Sequence, residues 1–310
     1  MRKVIGIGET VLDIIFKDNK PIGAVPGGST LNAIVSLGKA GVDASFIGET
    51  GNDRIGASIV GFLNDNHVGT QGVCRYPESK SAVSLAFLDD NNDAQYIFYK
   101  DHPHDQLDFA SPDIAPDDIV LLGSYYAVNP VIRPQVAGLL EQARAKGAIV
   151  YYDVNYRSSH KDDVMKITPN LIENLEYADI VRGSREDFLT LYGIDDPERI
   201  YNAEISFYCK QFIFTDGARP VTLMAGGKLT KQYPVPATHT VSTIGAGDNF
   251  NAGFIYGLIK HNVGRDELLG GMTEQRWDMV VTEAQLFAAD CCKDIQNNIS
   301  DAFAEQKRIQ

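Results

Sequence analysis

The sequence lacks the features that mark membrane proteins and nucleic-acid-binding proteins. Among its 310 residues, no stretch approaches the roughly 20 consecutive apolar residues that a membrane-spanning helix needs. Positive charge is scarce, because 28 lysines and arginines stand against 41 aspartates and glutamates, which gives a net charge of −13. An acidic surface repels phosphodiester backbones and anionic lipids. We therefore expect neither nucleic acid nor a membrane among the binding partners.

Cysteine is also scarce. The four cysteines are Cys74, Cys209, Cys291 and Cys292, and none of them belongs to a CxxC pair. This usage predicts reduced, structural thiols of the kind found in cytoplasmic proteins. Glycine, glutamate and aspartate interrupt the first apolar run, so no secretory signal core is expected there. We therefore predict a cytoplasmic protein.

Several catalytic motifs are missing as well. No GxxxxGK[ST] segment is present, which excludes a P-loop kinase. Neither an HExxH motif nor a Cys/His cluster occurs, so a zinc site is not expected. The segment Gly6-Ile7-Gly8 begins like a dinucleotide fingerprint but lacks the third glycine. A nicotinamide oxidoreductase built on that segment stays open as an alternative.

The pattern that is present is the alternation of β-rich runs with helical periods. Hydrophobic residues make up 44% of the chain, enough for a large core. The predicted strands are 4–8, 44–48, 119–123, 148–153, 179–182 and 211–215, and the predicted helices are 29–40, 131–146, 186–192, 246–260 and 279–298. This alternation predicts a three-layer α/β/α sandwich with a mainly parallel central sheet in a single domain over 1–310. The polar segment 264–278 is predicted to be a loop.

Two segments break the alternation. One has short apolar runs split by KDNKP, and the other forms two strand-like runs, SAVSLAFL and AQYIFYK, around the polar turn DDNNDA. The second pattern is a hairpin signal. We predict that approximately residues 11–25 and 72–100 form a small β-lid over one edge of the sheet.

The clearest chemical signal is the turn Gly245-Ala246-Gly247-Asp248 at the start of a helix. Glycines allow successive N–H groups to converge, and the helix start adds a positive dipole end, so the turn can hold a phosphoryl group. A carboxylate at position 248 would face that group and accept the proton of an attacking hydroxyl. An ordinary capping aspartate after a flexible turn fits the same residues.

Weaker signals lie at other strand ends and helix starts. Gly27 and Gly28 precede a helix that carries Asn32 in its first turn, an arrangement that permits close approach of a ligand but also fits a plain helix cap. Ligands of open α/β sheets bind at the carboxyl ends of the strands, where the segments 153–157, 183–186 and 215–217 are expected. A solvated strand end is the alternative for each of them.

In chain order, four segments resemble the PfkB, or ribokinase-like, family of carbohydrate kinases. They are GIGETVLD near the start, PGGSTLNAIVSLGKAGVDASFIGETGNDRIG at 26–56, DVNYR from 153 and STIGAGDNFNAGF from 242. Within the family the chain is most similar to the fructokinase branch. The resemblance implies the layered fold with its β-lid, ATP-dependent phosphorylation of a sugar hydroxyl, and a requirement for Mg²⁺.

The resemblance also implies roles for single residues. Asp248 matches the catalytic base, and Gly245, Ala246 and Gly247 match the anion hole. Asp13, Gly27, Gly28 and Asn32 match positions that bind sugar hydroxyls. Glu186 matches an acid that places Mg²⁺ through water, Thr215 and Gly217 match a nucleotide-binding turn, and Arg157 is expected near the phosphates or the sugar. Lys100 follows the lid strand, where it can contact a sugar hydroxyl or an anionic group, although an exposed lysine at a strand end fits equally.

The chain departs from the family pattern at three positions. Gly183 replaces the Asn of the Asn-x-x-Glu motif, although the neighbouring Ser184 can supply a hydroxyl. Pro220 replaces the second glycine of the nucleotide turn, and Ser242 replaces an aspartate that helps bind a monovalent cation in related enzymes. These departures bear on nucleotide affinity and on activation by potassium, and they leave the base and the anion hole intact.

Several substrates fit the sequence. Fructose is the first choice, and ribose, another free sugar or a keto-deoxy sugar acid stays open. A nucleoside kinase of the same fold is an alternative, because Tyr96, Phe98 and Tyr99 in the lid can stack on a base. A non-catalytic sugar- or nucleotide-binding protein is the alternative from another class. Related enzymes also predict a homodimer formed through the lid edges.

Overall fold

Thirteen strands and eleven α-helices make up the part of the chain that the computed structural model describes, residues 2–89, 94–100 and 107–309. The strands are β1 Lys3–Ile7, β2 Val11–Lys17, β3 Lys20–Gly27, β4 Asp43–Gly51, β5 Val68–Tyr76, β6 Val83–Leu88, β7 Ala94–Tyr99, β8 Ile119–Gly123, β9 Ile149–Asp153, β10 Ile180–Ser184, β11 Gln211–Asp216, β12 Arg219–Ala225 and β13 Leu229–Tyr233. The helices are α1 Ser29–Lys39, α2 Arg54–Asp65, α3 Ser124–Val128, α4 Arg133–Lys146, α5 Val164–Tyr177, α6 Arg185–Tyr192, α7 Pro197–Ile200, α8 Ala246–Lys260, α9 Arg265–Gly271, α10 Glu274–Cys291 and α11 Asp301–Lys307. A 3₁₀ turn spans Ser158–Asp163, and a π-helical turn follows α7 at Tyr201–Ile205.

Nine strands form the main sheet in the order β13-β12-β11-β10-β9-β8-β1-β4-β5. The pairs from β11 to β5 are parallel, and β12 and β13 are added at one edge as antiparallel strands. Because parallel strands run in one direction, their carboxyl ends meet along one rim of the sheet. The polar segments that follow these strands are therefore brought together.

Both faces of the main sheet are covered by helices. Successive strand residues alternate between the faces, so Val4 packs with α1, α8 and α10, whereas Ile5 packs with α4 and α5. All of β8 and β9 is buried, as strands between two helical layers must be. The predicted three-layer α/β/α class is confirmed.

The second sheet has four strands in the order β3-β2-β6-β7. Strands β2 and β3 form one hairpin and β6 and β7 another, and β2 pairs with β6 in parallel. This small sheet consists of most of the two segments that the sequence assigns to the lid. Residues 72–76 differ, because they lie at the end of β5 in the main sheet, paired with β4. The turn at 90–93 lies outside the described residues.

The segment 264–278, predicted to be a loop, is instead helix α9 followed by the start of α10. The Thr273 side chain accepts a hydrogen bond from the Arg276 N–H and caps α10, while Leu268 and Trp277 are buried. A helix cap and buried apolar side chains outweigh the glycines and the polar residues of this segment. Helix α10 also ends at Cys291, before the position 298 that the sequence pattern indicates.

Two further observations concern helices and cysteines. Within its described part, none of the helices combines the length and the apolar character needed to cross a bilayer. All four cysteines are free thiols.

Candidate active site

A cleft lies where the carboxyl ends of β1, β9 and β10 meet the start of α8 beneath the small sheet. It has three adjoining spaces. The central pocket, about 40 Å³, is lined by Asp13, Gly28, Asn32 and Asp248 among others. The outer cleft, about 720 Å³, shares Arg157 and Asp248 with it and adds Ser184 and Glu186. The inner cavity, about 280 Å³, lies on the other side of Glu9 and Phe98, which it shares with the central pocket.

Asp248 lies in the first turn of α8 and lines both the central pocket and the outer cleft. Its Oδ2 accepts a hydrogen bond of 2.8 Å from Nδ2 of Asn32 on α1. Burial raises the pKa of the Asp248 carboxyl to about 6, although the hydrogen bond from Asn32 opposes that rise. A carboxylate with such a pKa is ionised at neutral pH and is a better proton acceptor than an ordinary aspartate.

The turn before α8 leaves two N–H groups pointing out of the helix start. Gly245 has φ +75, and a Cβ there would lie 2.7 Å from the Asn297 carbonyl oxygen, so only glycine fits. The Ala246 N–H is engaged, because it donates to the Thr243 carbonyl at 3.2 Å. The first bond along α8 is donated by Asn249 to the Gly245 carbonyl. The N–H groups of Gly247 and Asp248 precede it and are the donors that a helix start offers to an anion.

A buried cation lies directly behind this turn. Arg182 on β10 is 6% exposed, and its Nη2 is 2.9 Å from the position of a Cβ added to Gly247. Its Nη1 donates to Asp153 Oδ1 at 3.0 Å, and Nη2 donates to Thr215 Oγ1 at 2.6 Å. Burial alone would lower the pKa of Arg182, but the nearby acidic groups, Asp153 foremost and then Asp187, together outweigh burial and raise it. The guanidinium therefore stays charged and adds to the positive potential of the helix start.

Asp153 and Thr215 are therefore turned toward Arg182. Asp153 is 1% exposed, and its second carboxylate oxygen accepts a hydrogen bond of 2.8 Å from Asn251. The strand-end segment 153–157 contributes Asn155 and Arg157 to the cleft instead. Gly217 forms part of the turn between β11 and β12 and lines none of the three spaces.

Of the other predicted sugar-binding residues, Asp13 and Gly28 line the central pocket, whereas Gly27 lies behind Asp13 and is not among the lining residues. Asp13 on β2 is 6% exposed, accepts a hydrogen bond from the Ser84 hydroxyl, and has its pKa raised to about 6 by burial. At Gly28, with φ +129, a Cβ would lie 2.2 Å from the Glu9 carbonyl oxygen. Gly27 lies against Asp13, whose Oδ2 would be 2.3 Å from an added Cβ. Both glycines thus let the chain pass close to Asp13 and Glu9.

Two cationic side chains mark different ends of the cleft. Arg157 lines the central pocket and the outer cleft, and its guanidinium lies 4.7 Å from the centre of the Tyr96 ring. Lys100 lines the inner cavity, where it forms a largely buried ion pair with Glu9. Burial would raise the pKa of Glu9, but the nearby cations, Lys100 foremost and then Arg157, together outweigh burial and the pKa is lowered. Lys100 is therefore not the exposed strand-end lysine of the alternative interpretation.

Ser184 and Glu186 both line the outer cleft, but the Ser184 hydroxyl caps a helix whereas the Glu186 side chain is exposed. The Ser184 hydroxyl accepts a bond from the Asp187 N–H, and the Asp187 carboxylate accepts one from the Ser184 N–H, which together form a capping box for α6. Glu186 is exposed to the cleft. Among the described residues, no group of three or more acidic, histidine or cysteine side chains could hold a metal ion.

Magnesium nevertheless fits this site. Mg²⁺ keeps several waters and binds through one or two carboxylates together with substrate phosphates. Glu186 offers one carboxylate at the outer cleft, which is enough for an ion that enters with a nucleotide. The role that the resemblance implies for Glu186 stays a prediction.

Sequence reasoning missed Arg182, Glu49 and Tyr126 as cleft residues. Arg182 carries a detectable signal, since a charged residue inside the apolar strand Ile180–Ser184 needs a partner or a function. Glu49 and Tyr126 carry none, because the side chains are brought together only by the pairing of β4 with β1 and of β1 with β8.

Comparison with known proteins gives a consistent result. A family model described as pfkB family carbohydrate kinase matches residues 1–270. The 5-dehydro-2-deoxygluconokinase 1 of Bacillus cereus is 28% identical over 253 residues, which cover 76% of this chain and 74% of that protein.

Solved structures agree in fold. The fructokinase of Vibrio cholerae, with fructose, ADP and a calcium ion bound, superposes with a TM-score of 0.85 at 20% identity over 100% of this chain and 99% of that one. Aminoimidazole riboside kinase from Salmonella enterica, with its riboside and an ATP analog, gives a TM-score of 0.76 at 23% identity over 99% and 98% of the two chains. These solved structures are less than 25% identical to this chain, so they support the fold alone. The family model matches most of the chain and is therefore the evidence for family membership.

Proposed function

Since the chain belongs to the pfkB family of carbohydrate kinases, we propose that it transfers the terminal phosphoryl group of ATP to the primary hydroxyl of a keto-deoxy sugar acid such as 5-dehydro-2-deoxygluconate. The observation that carries the reaction type is the position of Asp248. Its carboxylate lies beside the two outward N–H groups of the α8 start and lines both the pocket and the cleft.

The reaction follows from that geometry. The acceptor hydroxyl oxygen forms a bond to the terminal phosphorus as the bond from that phosphorus to the bridging oxygen of ADP breaks. Asp248 accepts the hydroxyl proton, which leaves a phosphate ester, ADP and a protonated carboxyl. The N–H groups of Gly247 and Asp248, with the charge of Arg182 behind them, stabilise the negative charge of the group in transfer.

Magnesium contributes charge neutralisation when it is bound. It would be held by Glu186, through water, and by the nucleotide phosphates in the outer cleft. In an acidic protein of net charge −13, such a cation offsets the repulsion between the protein and the polyphosphate.

The choice of acceptor rests on the relatives and on two cations. The sequence patterns favour fructose, but the curated relatives support the keto-deoxy sugar acid better. Arg157 lies at the junction between pocket and outer cleft, where phosphate is transferred, whereas Lys100 lies in the inner cavity, away from that junction. A linear sugar acid whose primary hydroxyl meets Asp248 would direct its carboxylate toward Lys100, and fructose has no such group.

The test is a coupled assay of ADP release with purified protein, ATP and Mg²⁺. Acceptors are 5-dehydro-2-deoxygluconate, fructose, ribose and aminoimidazole riboside, and Asp248→Asn protein measures the background. We expect the sugar acid to give the highest kcat/KM. A higher kcat/KM with fructose or with the riboside would overturn the acceptor assignment. Absence of ADP release with every acceptor would overturn the proposed reaction.

The lid also supports a proposal for the assembly. Strands β3 and β7 are the two edges of the small sheet, and within residues 2–89, 94–100 and 107–309 neither pairs with a further strand on its outer side. A second copy of the chain could pair with one of these edges to form a dimer with two-fold symmetry. Sedimentation velocity at micromolar concentration decides between this dimer and a monomer.

A further inference from the structure

The central pocket is too small to hold a whole sugar. A space of about 40 Å³ accommodates only a few water-sized groups, enough for the reacting hydroxymethyl end of an acceptor. The rest of a six-carbon acceptor must therefore extend into a neighbouring space. The outer cleft is open to the nucleotide, which leaves the inner cavity of about 280 Å³ on the far side of Glu9 and Phe98.

The inner cavity carries two buried polar atoms that the described part of the protein does not satisfy. Tyr126 is 7% exposed and lines the cavity, yet its hydroxyl has no hydrogen-bond partner among the described residues. Oε2 of Glu49, which lines the same cavity, is likewise buried and has no partner in that part of the chain. Buried polar atoms in native proteins are almost always hydrogen-bonded, because each unmade bond destabilises the fold. Two such atoms in one cavity indicate a ligand with oxygen groups.

The surroundings define the chemistry of that ligand. Lys100 supplies a cation, and Thr10, Thr50 and Asn129 supply further hydroxyl and amide groups. Aromatic rings complete this lining. An acceptor with a chain of hydroxyl and keto groups that ends in a carboxylate matches the cation and the two unsatisfied polar atoms.

We propose that the inner cavity binds the end of the acceptor opposite to the phosphorylated hydroxyl, and that Glu49 and Tyr126 hydrogen-bond its oxygen groups and thereby select the sugar. The proposal rests on the proposed function for the placement of the reacting hydroxyl at Asp248. Burial raises the pKa of the Glu49 carboxyl to about 7, so a protonated form that can donate a hydrogen bond is accessible near neutral pH.

The proposal predicts that stability and binding respond in opposite directions. Tyr126→Phe and Glu49→Leu each remove a buried group that is unsatisfied in the free protein, so the melting temperature should stay constant or rise by about 2 °C. The same variants should raise the KM for the acceptor about 3- to 10-fold, the effect of one lost hydrogen bond, while the KM for ATP stays within twofold. A merely structural role would instead lower the melting temperature.

Two variants serve as controls. Glu49→Gln retains a neutral donor and should keep the acceptor KM of the wild type at pH 6. Tyr256→Phe removes a tyrosine hydroxyl that lies outside the three spaces and is bonded to the Lys307 carbonyl oxygen at 2.7 Å, and it should leave the acceptor KM within twofold.

The outcomes separate the two proposals. Direct calorimetric binding of 5-dehydro-2-deoxygluconate and of fructose is measured beside turnover for every variant. If either sugar binds in a Tyr126-dependent way without any phosphoryl transfer, only the proposed function fails. If transfer occurs and Tyr126→Phe and Glu49→Leu leave the KM of every acceptor unchanged, the role of the inner cavity is refuted. Absence of binding and of transfer for both sugars would refute both.

Discussion

The amide of Asn32 on α1 holds the carboxylate of Asp248 on α8, with 2.8 Å between Nδ2 and Oδ2 across 216 residues of sequence. Both side chains line the central pocket, and Asn32 is 4% exposed. The side-chain oxygen Oδ1 of Asn32 has no hydrogen-bond partner among the described residues, so it is available to accept a hydrogen bond from the hydroxyl of an acceptor. One amide can thus orient the base and the group that the base deprotonates.

We predict that Asn32→Leu lowers kcat/KM about 10-fold or more and shifts its pH dependence. The hydrogen bond from Asn32 lowers the pKa of Asp248, so its loss should raise that pKa above about 6 and move the acidic limb of the kcat/KM profile to higher pH. The profile of kcat/KM between pH 5 and 9 measures this. Ser36→Ala is the matched control, because it removes another buried bond between α1 and α8, from Ser36 to Asn249 at 2.6 Å. An equal shift in the control would refute the orienting role.

We predict that Asp248→Asn inactivates the protein and stabilises it at alkaline pH. Loss of the base should lower kcat about 10²- to 10⁴-fold. The folded-state pKa of Asp248 is raised from 3.8 to about 6, so ionisation is costly in the folded state. The cost develops as pH rises from about 4 to 6 and is fully present above that window, where the variant should gain about 1 to 3 kcal/mol.

Urea unfolding at pH 4 and pH 8 measures this effect. The gain of Asp248→Asn should be present at pH 8 and nearly absent at pH 4. Asp53→Asn is the control of opposite sign, because hydrogen bonds from Gly56 and Ser81 hold the pKa of Asp53 at about 2. The ionised Asp53 carboxylate stabilises the fold at pH values above the pKa that this group has in the unfolded chain. Its loss should therefore destabilise the protein at pH 8. A variant of Asp248 that is less stable than wild type at pH 8 would contradict the prediction.

Local patterns in the sequence predict much of this fold and point to Asp248 as the candidate base. The helical spacing of apolar residues from Leu31 to Ala40, and along α8, indicates helices. The glycine turn before Asp248 indicates an anion site. The direction in which Asp153 and Thr215 point was not predictable, because it depends on the long-range ion pair with Arg182. Helix α9 was missed for a related reason: its stability comes from burial of Leu268 rather than from a helical period.

The inner cavity was even less predictable from the local sequence. Its wall combines Glu9 after β1, Glu49 on β4, Lys100 after β7 and Tyr126 on α3. Of these residues, only Lys100 carries a signal in its local sequence, namely its position after the lid strand. The cavity exists only because the parallel pairing of β8, β1 and β4 aligns the ends of these strands beneath the lid.

We predict that Gly245→Ala lowers both stability and turnover. Its φ of +75 is strained for alanine, and the added Cβ would lie 2.7 Å from the Asn297 carbonyl oxygen. A strained backbone costs on the order of 1–3 kcal/mol, and its relief would displace the N–H groups of the α8 start. Thermal melts and kcat measure the two effects. Gly138→Ala on α4 is the control, since an added Cβ meets nothing within 4 Å and alanine should stabilise that helix by about 0.5–1 kcal/mol.

Lys100 decides between acidic and neutral acceptors. We predict that Lys100→Met lowers kcat/KM for 5-dehydro-2-deoxygluconate about 10- to 100-fold more than kcat/KM for fructose, because a charge-assisted hydrogen bond to a carboxylate is lost only with the acid. The variant also leaves Glu9 without its ion-pair partner, which weakens both acceptors, so the ratio of the two values is the informative quantity. Lys146→Met, at the exposed end of α4, should leave the ratio unchanged. Equal losses with both acceptors would show that Lys100 does not bind a carboxylate.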